Sequence, residues 1–500
     1  MSVQAATSPT EIDSRTRGLL EAPLLRTLMK LAAPNAVVMV TQISIPLVEI
    51  YFIAKISIDA LAGVSEVFPV LSLVGAISQG AVGGGVVSAI ARTLGSGQRS
   101  EANNLVWYTV GIAVSLGLVT TAIVLSLGSV FYAAMGGRDL SLSSALTYSN
   151  LIFAGAVLIW LFNLLLAAIR GTGSLIVPLI VVCGGALSLL PLLPVLILGF
   201  GPIPGLGVTG GAIGILTYYA AGCLALITYL WGHRGVLAPR ARPPMLRLRP
   251  IWEILRVGGM SALVSASTNI TLATITGFVG AHGVAALAGY GAGSRLEFML
   301  VSLSYGIGGP AGILIGTNIG AGNTDRALRV AWMGTLIAVL TAEAIGLAVA
   351  FWPMVWLGAF SRDPSVIAVG SEYLRTVGPF FGFFGMGYAL YCAGQGTGRM
   401  GWPATGALVR AAIAVTGGAL ALRVGAGLGG IFFAAGLGMT AFGCISLLGL
   451  ISRVGYGGRD GPRAVTGAPG RWWQVGGLSR RPKRRRLTSQ DPWTRPSDLD

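Results

Sequence analysis

Charged side chains are scarce. They make up 10% of the 500 residues, where ordinary soluble domains carry about 25%. With 54% hydrophobic residues and a mean hydropathy of +0.76, a water-soluble fold of this size is excluded, and so is a disordered chain, which needs low hydrophobicity. Cysteine is also rare. Cys183, Cys223, Cys392 and Cys444 each lie inside an apolar run, without the CxxC or Cys/His spacing of a zinc or redox site, and they read as small packing residues. The histidines, His233 and His282, fall at the ends of apolar segments, which argues against a histidine relay or a metal site. There is no HExxH, GxSxG or clustered His/Asp set to suggest an enzyme. No Walker lysine follows the glycine pairs near 95 and 320, which argues against a nucleotide-driven pump.

What is abundant is the apolar run of membrane-spanning length, about 20 residues per helix. Arg15, Arg17 and Arg26 precede the first run, 28–53, in the manner of a signal peptide. That run is too long for a signal core and carries Glu49, so it reads as an uncleaved first span. Further spans are expected near 62–90, 105–127, 145–169, 175–199 and 209–232 and, after a polar stretch from His233 to Pro250, near 252–280, 285–316, 328–351, 367–394, 402–422 and 428–452. The expected fold is an all-α polytopic membrane protein with twelve transmembrane helices. Lys and Arg concentrate in the segments that share a side with the N-terminus, leaving Lys55, Arg138, Arg362 and Arg423 on the other. The positive-inside rule then puts both termini in the cytoplasm and the body in the plasma (inner) membrane. This accounts for the net charge of +16 without nucleic acid as a partner; the run Arg480 to Arg486 reads as a tail near anionic lipid headgroups.

The two halves of the chain match at an offset of 225 to 226 residues. Ala60-Leu61-Ala62-Gly63 recurs as Ala286-Leu287-Ala288-Gly289, Gly95-Ser96-Gly97 as Gly320-Ala321-Gly322, Tyr148 as Tyr373, and Gly171-Thr172-Gly173 as Gly396-Thr397-Gly398. An even number of spans per copy keeps both copies in the same orientation. The expectation is therefore two six-helix bundles in parallel repeat, able to rock about a shared interface and open a midplane cavity to either side. The corresponding organisation is a cytoplasmic N-terminal segment 1–27, a lobe 28–232, a basic cytoplasmic linker 233–251, a lobe 252–452 and a basic, disordered tail 453–500. Two lobes in one chain already supply a moving interface, so a monomer is expected.

Several stretches resemble the multidrug and toxic compound extrusion (MATE) family. They are Val48-Glu49-Ile50-Tyr51-Phe52 leading to Asp59-Ala60-Leu61-Ala62-Gly63, Arg295-Leu296-Glu297, the run from Gly316 to Asn323, and Gly207-Val208-Thr209-Gly210-Gly211-Ala212. The resemblance covers about residues 28 to 452. It implies a cation-coupled antiporter without a cofactor, powered by a proton or sodium gradient, that exports bulky and often cationic organic compounds through a V-shaped cavity between the lobes. The chain departs from the family in having Glu49 where the first helix usually carries aspartate. It also reads Ser188-Leu189-Leu190-Pro191 in the fifth span, where the family often has Asn and Asp, which counts against a multi-ligand sodium site in the first lobe.

An ionisable group inside a span is a functional candidate by default. Burial disfavours the charged form of a carboxyl, so Glu49 is the expected proton carrier, with Gln42 two turns away on the same face. The alternative pairs Glu49 with Lys55 at the outer interface. Glu297 is the second expected coupling residue, or else part of a structural ion pair. Glu343 and Glu66 are weaker candidates. Substrate-binding candidates are Gln79, Asn163, Asn269, Tyr305, Tyr388 and Gln395, since aromatic faces suit organic cations, although each could equally serve helix packing. Pro34 is a candidate bend in the first span. Sodium coupling through Glu297 is the second functional reading. A flippase for a lipid-linked precursor is the third, for which Arg295 and Arg375 would have to line the cavity.

Overall fold

A computed structural model describes residues 13–134, 138–201 and 203–452. The expected tail 453–500, with its arginine run, lies outside the described residues. The first half consists of α1 (Ser14–Glu21), α2 (Leu24–Ile53), α3 (Ile58–Gly75), a π-helical stretch (Ala76–Val82), α4 (Gly83–Gly95), α5 (Arg99–Ala134), α6 (Asp139–Ala154), α7 (Ala156–Gly171), α8 (Ile176–Leu198) and α9 (Val208–Trp231). The second half follows with α10 (Leu248–Gly280), α11 (Val284–Gly320), α12 (Thr324–Phe351), α13 (Pro353–Leu357), α14 (Pro364–Val377), a 3-10 turn (Gly378–Phe380), α15 (Phe381–Thr397), α16 (Gly401–Val424) and α17 (Gly427–Ile451).

Among the described residues, ten helical stretches are long and apolar enough to cross a membrane, and α6 with α7, bent by 52°, makes an eleventh. By the repeat, α14 with α15 takes the place of the twelfth. These last two spans occupy the same place in the two halves, and each is broken rather than straight. The first breaks at Gly155. The second breaks at Gly378-Pro379-Phe380, where the proline lacks the N–H that a continuing helix requires. Apolar periodicity alone gave no sign of either break, nor of α1, α13 or the short antiparallel pairing of Gly199–Phe200 with Ile203–Pro204.

Each half builds its own core, except that Ile254 at the start of α10 packs into the first. One cluster of buried side chains runs from Val38 to Ile254, and a second from Val257 to Phe442. Repeat-related glycines set the packing within each half. A Cβ on Gly63 would lie 2.5 Å from the Ser141 carbonyl of α6, and one on Gly289 would lie 2.5 Å from the Val366 carbonyl of α14, so both positions admit only the smallest residue.

The lobes join at the end where α2 begins. A third cluster, including Leu19, Leu28, Leu175, Leu314 and Val330, spans both halves there. At the same end α4 and α11 meet backbone to backbone. A Cβ on Gly95 would sit 2.0 Å from the Thr317 carbonyl, and one on Gly320 would sit 2.0 Å from that of Arg92. The turns that follow need positive φ at Gly97 (76°) and Gly322 (78°), which glycine adopts freely. Toward the opposite end α3, α6 and α9 make their substantial contacts within the first half, as α14 and α16 do within the second. The lobes are thus closed against each other at one end and separate at the other.

Candidate functional site

A cavity of about 330 Å³ lies between the lobes, at the lower end of the usual size for organic-ligand sites. Its walls come from α2, α3, the π-helical stretch, α4, α7, α10, α11 and α15. Of the expected substrate-binding residues, Gln79, Asn269, Tyr305, Tyr388 and Gln395 line it. Asn163 does not: it is buried in α7 and its amide donates to Ser78 Oγ at 2.9 Å. The polarity that suggested a cavity role is spent on an interhelical hydrogen bond.

Aromatic rings form one wall. The Tyr305 ring lies 5.8 Å from Tyr388 and 5.7 Å from Tyr391, and Tyr388 is in edge contact with Phe384 at 4.9 Å and Phe442 at 5.6 Å. Gln395 is held in place by its amide, which donates to the Gly80 carbonyl, Ser261 Oγ and Tyr391 Oη at 2.9 to 3.1 Å. Asn35, absent from the expected set, is 4% exposed and bridges the lobes by donating to the Tyr305 and Gly306 carbonyls at 3.2 and 3.3 Å. Its role follows from Pro310, which has no N–H to bond the carbonyl four residues earlier. That carbonyl belongs to Gly306, and Asn35 satisfies it from α2.

Glu297 also lines the cavity, but it is not free. Arg410 of α16 donates to Glu297 Oε1, and Tyr373 Oη donates to Oε2 at 3.2 Å. The Arg410 guanidinium in turn stands 4.6 Å from the centre of the Phe384 ring. The structural ion pair considered from sequence is present, with Arg410 as the partner. Arg295 instead stands 5.3 Å over the Phe360 ring. Arg410 went unnoticed in the sequence although it is an ionisable residue inside an expected span, the same signal that singled out Glu49.

Glu49 is 2% exposed and lies outside the cavity lining. It accepts a 2.7 Å hydrogen bond from Tyr148 Oη of α6. Space for it is made by α9, where a Cβ on Gly211 would come within 3.0 Å of Glu49 Oε1 and one on Gly210 within 2.1 Å of the Leu196 carbonyl. Gly211 is therefore a packing requirement of the acid, and Gly210 of the close approach of α9 to the end of α8. The alternative pairing with Lys55 is absent: the Lys55 ammonium stands 4.5 Å over Tyr51 and 5.5 Å over Phe52. Gln42, expected beside Glu49, accepts a 2.7 Å hydrogen bond from Gln79 instead. It connects α2 to the cavity wall rather than to the acid.

The repeat is visible in these two acids. Tyr148 and Tyr373, matched in sequence, each donate to the buried carboxylate of their own lobe, although the acids sit on different helices, Glu49 on α2 and Glu297 on α11. The weaker acids have local roles. Glu343 accepts from the Gly382 N–H at 2.7 Å, one of the donors left unpaired at the start of α15. Glu66 accepts from Ser141 Oγ at 3.2 Å. Pro34 and Pro46 both lie inside α2. Arg375 is exposed and, like Arg295, does not line the cavity, whereas Arg170 does.

Twelve membrane-crossing helices in two repeated bundles, with an aromatic and polar cavity between them, define a two-lobed membrane transporter. The chain belongs to the MatE family, whose model matches residues 34–195 and 261–420. It is 28% identical over 374 residues to a protein of Shewanella oneidensis named as an FAD transporter, covering 74% of this chain and 81% of that protein. It is 27% identical over 387 residues to a probable multidrug resistance protein NorM of Thermotoga maritima, covering 76% and 82%. Among solved structures, MATE in the bent conformation superposes with a TM-score of 0.82 at 20% identity, covering 89% of this chain and 98% of that one. A transporter of the MOP superfamily from Pyrococcus furiosus, described by the reverse polarity of its binding pocket, matches with a TM-score of 0.80 at 20% identity and the same coverage.

Proposed function

We propose that the protein is a proton-coupled exporter of amphipathic organic compounds, with Glu49 as the proton carrier. The supporting observation is the setting of Glu49: a buried carboxyl with one side-chain hydrogen-bond partner, the Tyr148 hydroxyl, on the helix that also supplies Asn35 and Met39 to the cavity wall. A proton arriving at Glu49 cancels its charge and weakens the attraction to Tyr148, which alters how α2 packs on α6 and α9. Because α2 bridges the lobes through Asn35, that change reaches the cavity without direct contact between proton and cargo. Gln42 carries the same movement to Gln79.

Sodium through Glu297 is the weaker reading, because Arg410 already supplies that carboxylate with a cation and a sodium ion needs several free oxygens. The expectation of cationic cargo also weakens, since the acid lining the cavity is internally neutralised. The name of the Shewanella relative adds a flavin dinucleotide to the candidate cargoes. The transporting unit is a monomer with both termini in the cytoplasm, so the closed end of the cavity faces the cytoplasm and cargo leaves by the open one.

The test is uptake of a fluorescent amphiphile by proteoliposomes under an imposed proton or sodium gradient. Accumulation that follows the proton gradient and collapses with a protonophore is expected. Accumulation that follows sodium alone would overturn proton coupling.

A further inference from the structure

Arg170 ends α7 at the closed end of the cavity. The side chain lines the cavity wall, the residue is 8% exposed, and its Nε and Nη2 atoms are buried with no hydrogen-bond partner. It takes part in none of the ion pairs among the described residues, which are Arg92 with Glu253, Arg247 with Glu101 and Arg410 with Glu297. A guanidinium keeps its charge at neutral pH, and a buried charge without a partner is destabilising. Such a group inside a membrane protein marks a functional site.

The repeat sharpens the anomaly. Arg170 and Gln395 occupy the same register, each preceding a Gly-Thr-Gly, and both line the cavity. Gln395 spends its amide on the Gly80 carbonyl, Ser261 and Tyr391, while Arg170 has no hydrogen-bond or ion-pair partner among the described residues. Its neighbourhood offers no substitute. Ser88, on the same stretch of wall, donates to the Gln395 carbonyl and accepts from Arg92. Glu297, the acid in the lining, is taken by Arg410 and Tyr373. With that pair neutral, Arg170 leaves one unmatched positive charge in a cavity that Tyr305 and Tyr388 also line.

We propose that Arg170 binds an oxyanion, so that the cargo carries a phosphate, sulfonate or carboxylate group on a flat apolar body. The guanidinium supplies a charge-assisted hydrogen bond to such a group, and the Tyr305–Tyr388 wall takes the ring system. The inference rests on the transporter reading for its meaning as cargo recognition, and it names the class of compound carried.

The experiment compares riboflavin with its phosphate ester FMN, which share a ring and differ in charge. Binding of each is measured by flavin fluorescence to the full chain in neutral-lipid nanodiscs, for wild type, Arg170→Gln and Arg170→Lys, with thermal unfolding of all three. Wild type is expected to favour FMN over riboflavin by about tenfold, as one charge-assisted pair allows. Arg170→Gln should lose that preference while keeping riboflavin binding and an unchanged or higher Tm, and Arg170→Lys should keep part of it. If phosphatidylglycerol in the disc abolishes the preference of wild type, the oxyanion site stands with a lipid phosphate as its occupant. Equal binding of the two flavins by wild type, no FMN binding at millimolar concentration, or an unchanged preference in Arg170→Gln overturns the proposal. Gradient-driven transport of a neutral dye without any anion preference would leave the exporter reading intact and remove this one. Loss of FMN preference in Arg170→Gln without transport under any gradient would do the reverse.

Discussion

At the residue scale the two lobes use one device with different ends. A tyrosine in the same register of each repeat donates to a buried carboxylate, but the second acid is also bound by Arg410 and the first is not. Removing one partner of a buried ion pair leaves the other uncompensated, at a cost of about 3–5 kcal/mol. Arg410→Met should therefore lower the Tm strongly, and adding Glu297→Gln should recover much of the loss; thermal unfolding of the single and double variants measures this. Tyr148→Phe removes one hydrogen bond, worth about 1 kcal/mol. It should leave the fold standing while slowing proton-driven transport several-fold, which initial rates in proteoliposomes would register. Glu49, Glu297 and the tyrosine pair could be picked out in the sequence because an acid in an apolar run is conspicuous and a repeat can be aligned. Arg170 was harder to see. At the end of a span it counts toward the positive-inside pattern, and only its alignment with Gln395 hints at a cavity position. Arg410 had no repeat-related partner to draw attention to it.

At the element scale the positions of the spans follow from hydropathy, and their interruptions do not. The break in the tenth span leaves the Gly382 N–H at the start of α15 to be taken by Glu343 of α12, and the closure of α4 on α11 depends on Gly95 and Gly320, where a Cβ has no room. The repeated glycines were visible in sequence as turn residues; that they also govern an interlobe contact requires the second lobe to be in place. Gly320→Ala should open this contact. Spin labels on cysteines introduced at Gln98 and Asn323, both exposed in the adjoining turns, should show a longer distance in the variant than in the parent, and an unchanged distribution would remove the contact from the conformational cycle. A smaller effect belongs to α14, whose start is capped by Asp363 accepting from Ser365. The Ser365 hydroxyl and amide hold this carboxyl below its usual value. The cap is therefore complete above the ordinary carboxylate range and is lost as pH falls through the lowered value. Hydrogen exchange of the first turn of α14 should accelerate in acid, and in Asp363→Ala that acceleration should already be present at neutral pH.

At the scale of the whole molecule, the two halves share one architecture but not one chemistry. The first lobe holds a buried acid away from the cavity, and the second holds a neutralised acid within it. On the proposed reading, proton and cargo occupy separate places, joined by α2, and coupling is then a matter of packing rather than of competition for one carboxylate. The sharpest test separates coupling from passage. In proteoliposomes, Glu49→Gln should still exchange fluorescent cargo for unlabelled cargo at rates near those of the parent, yet fail to accumulate it under a proton gradient. Proton-driven accumulation by Glu49→Gln at the parental level would contradict the account.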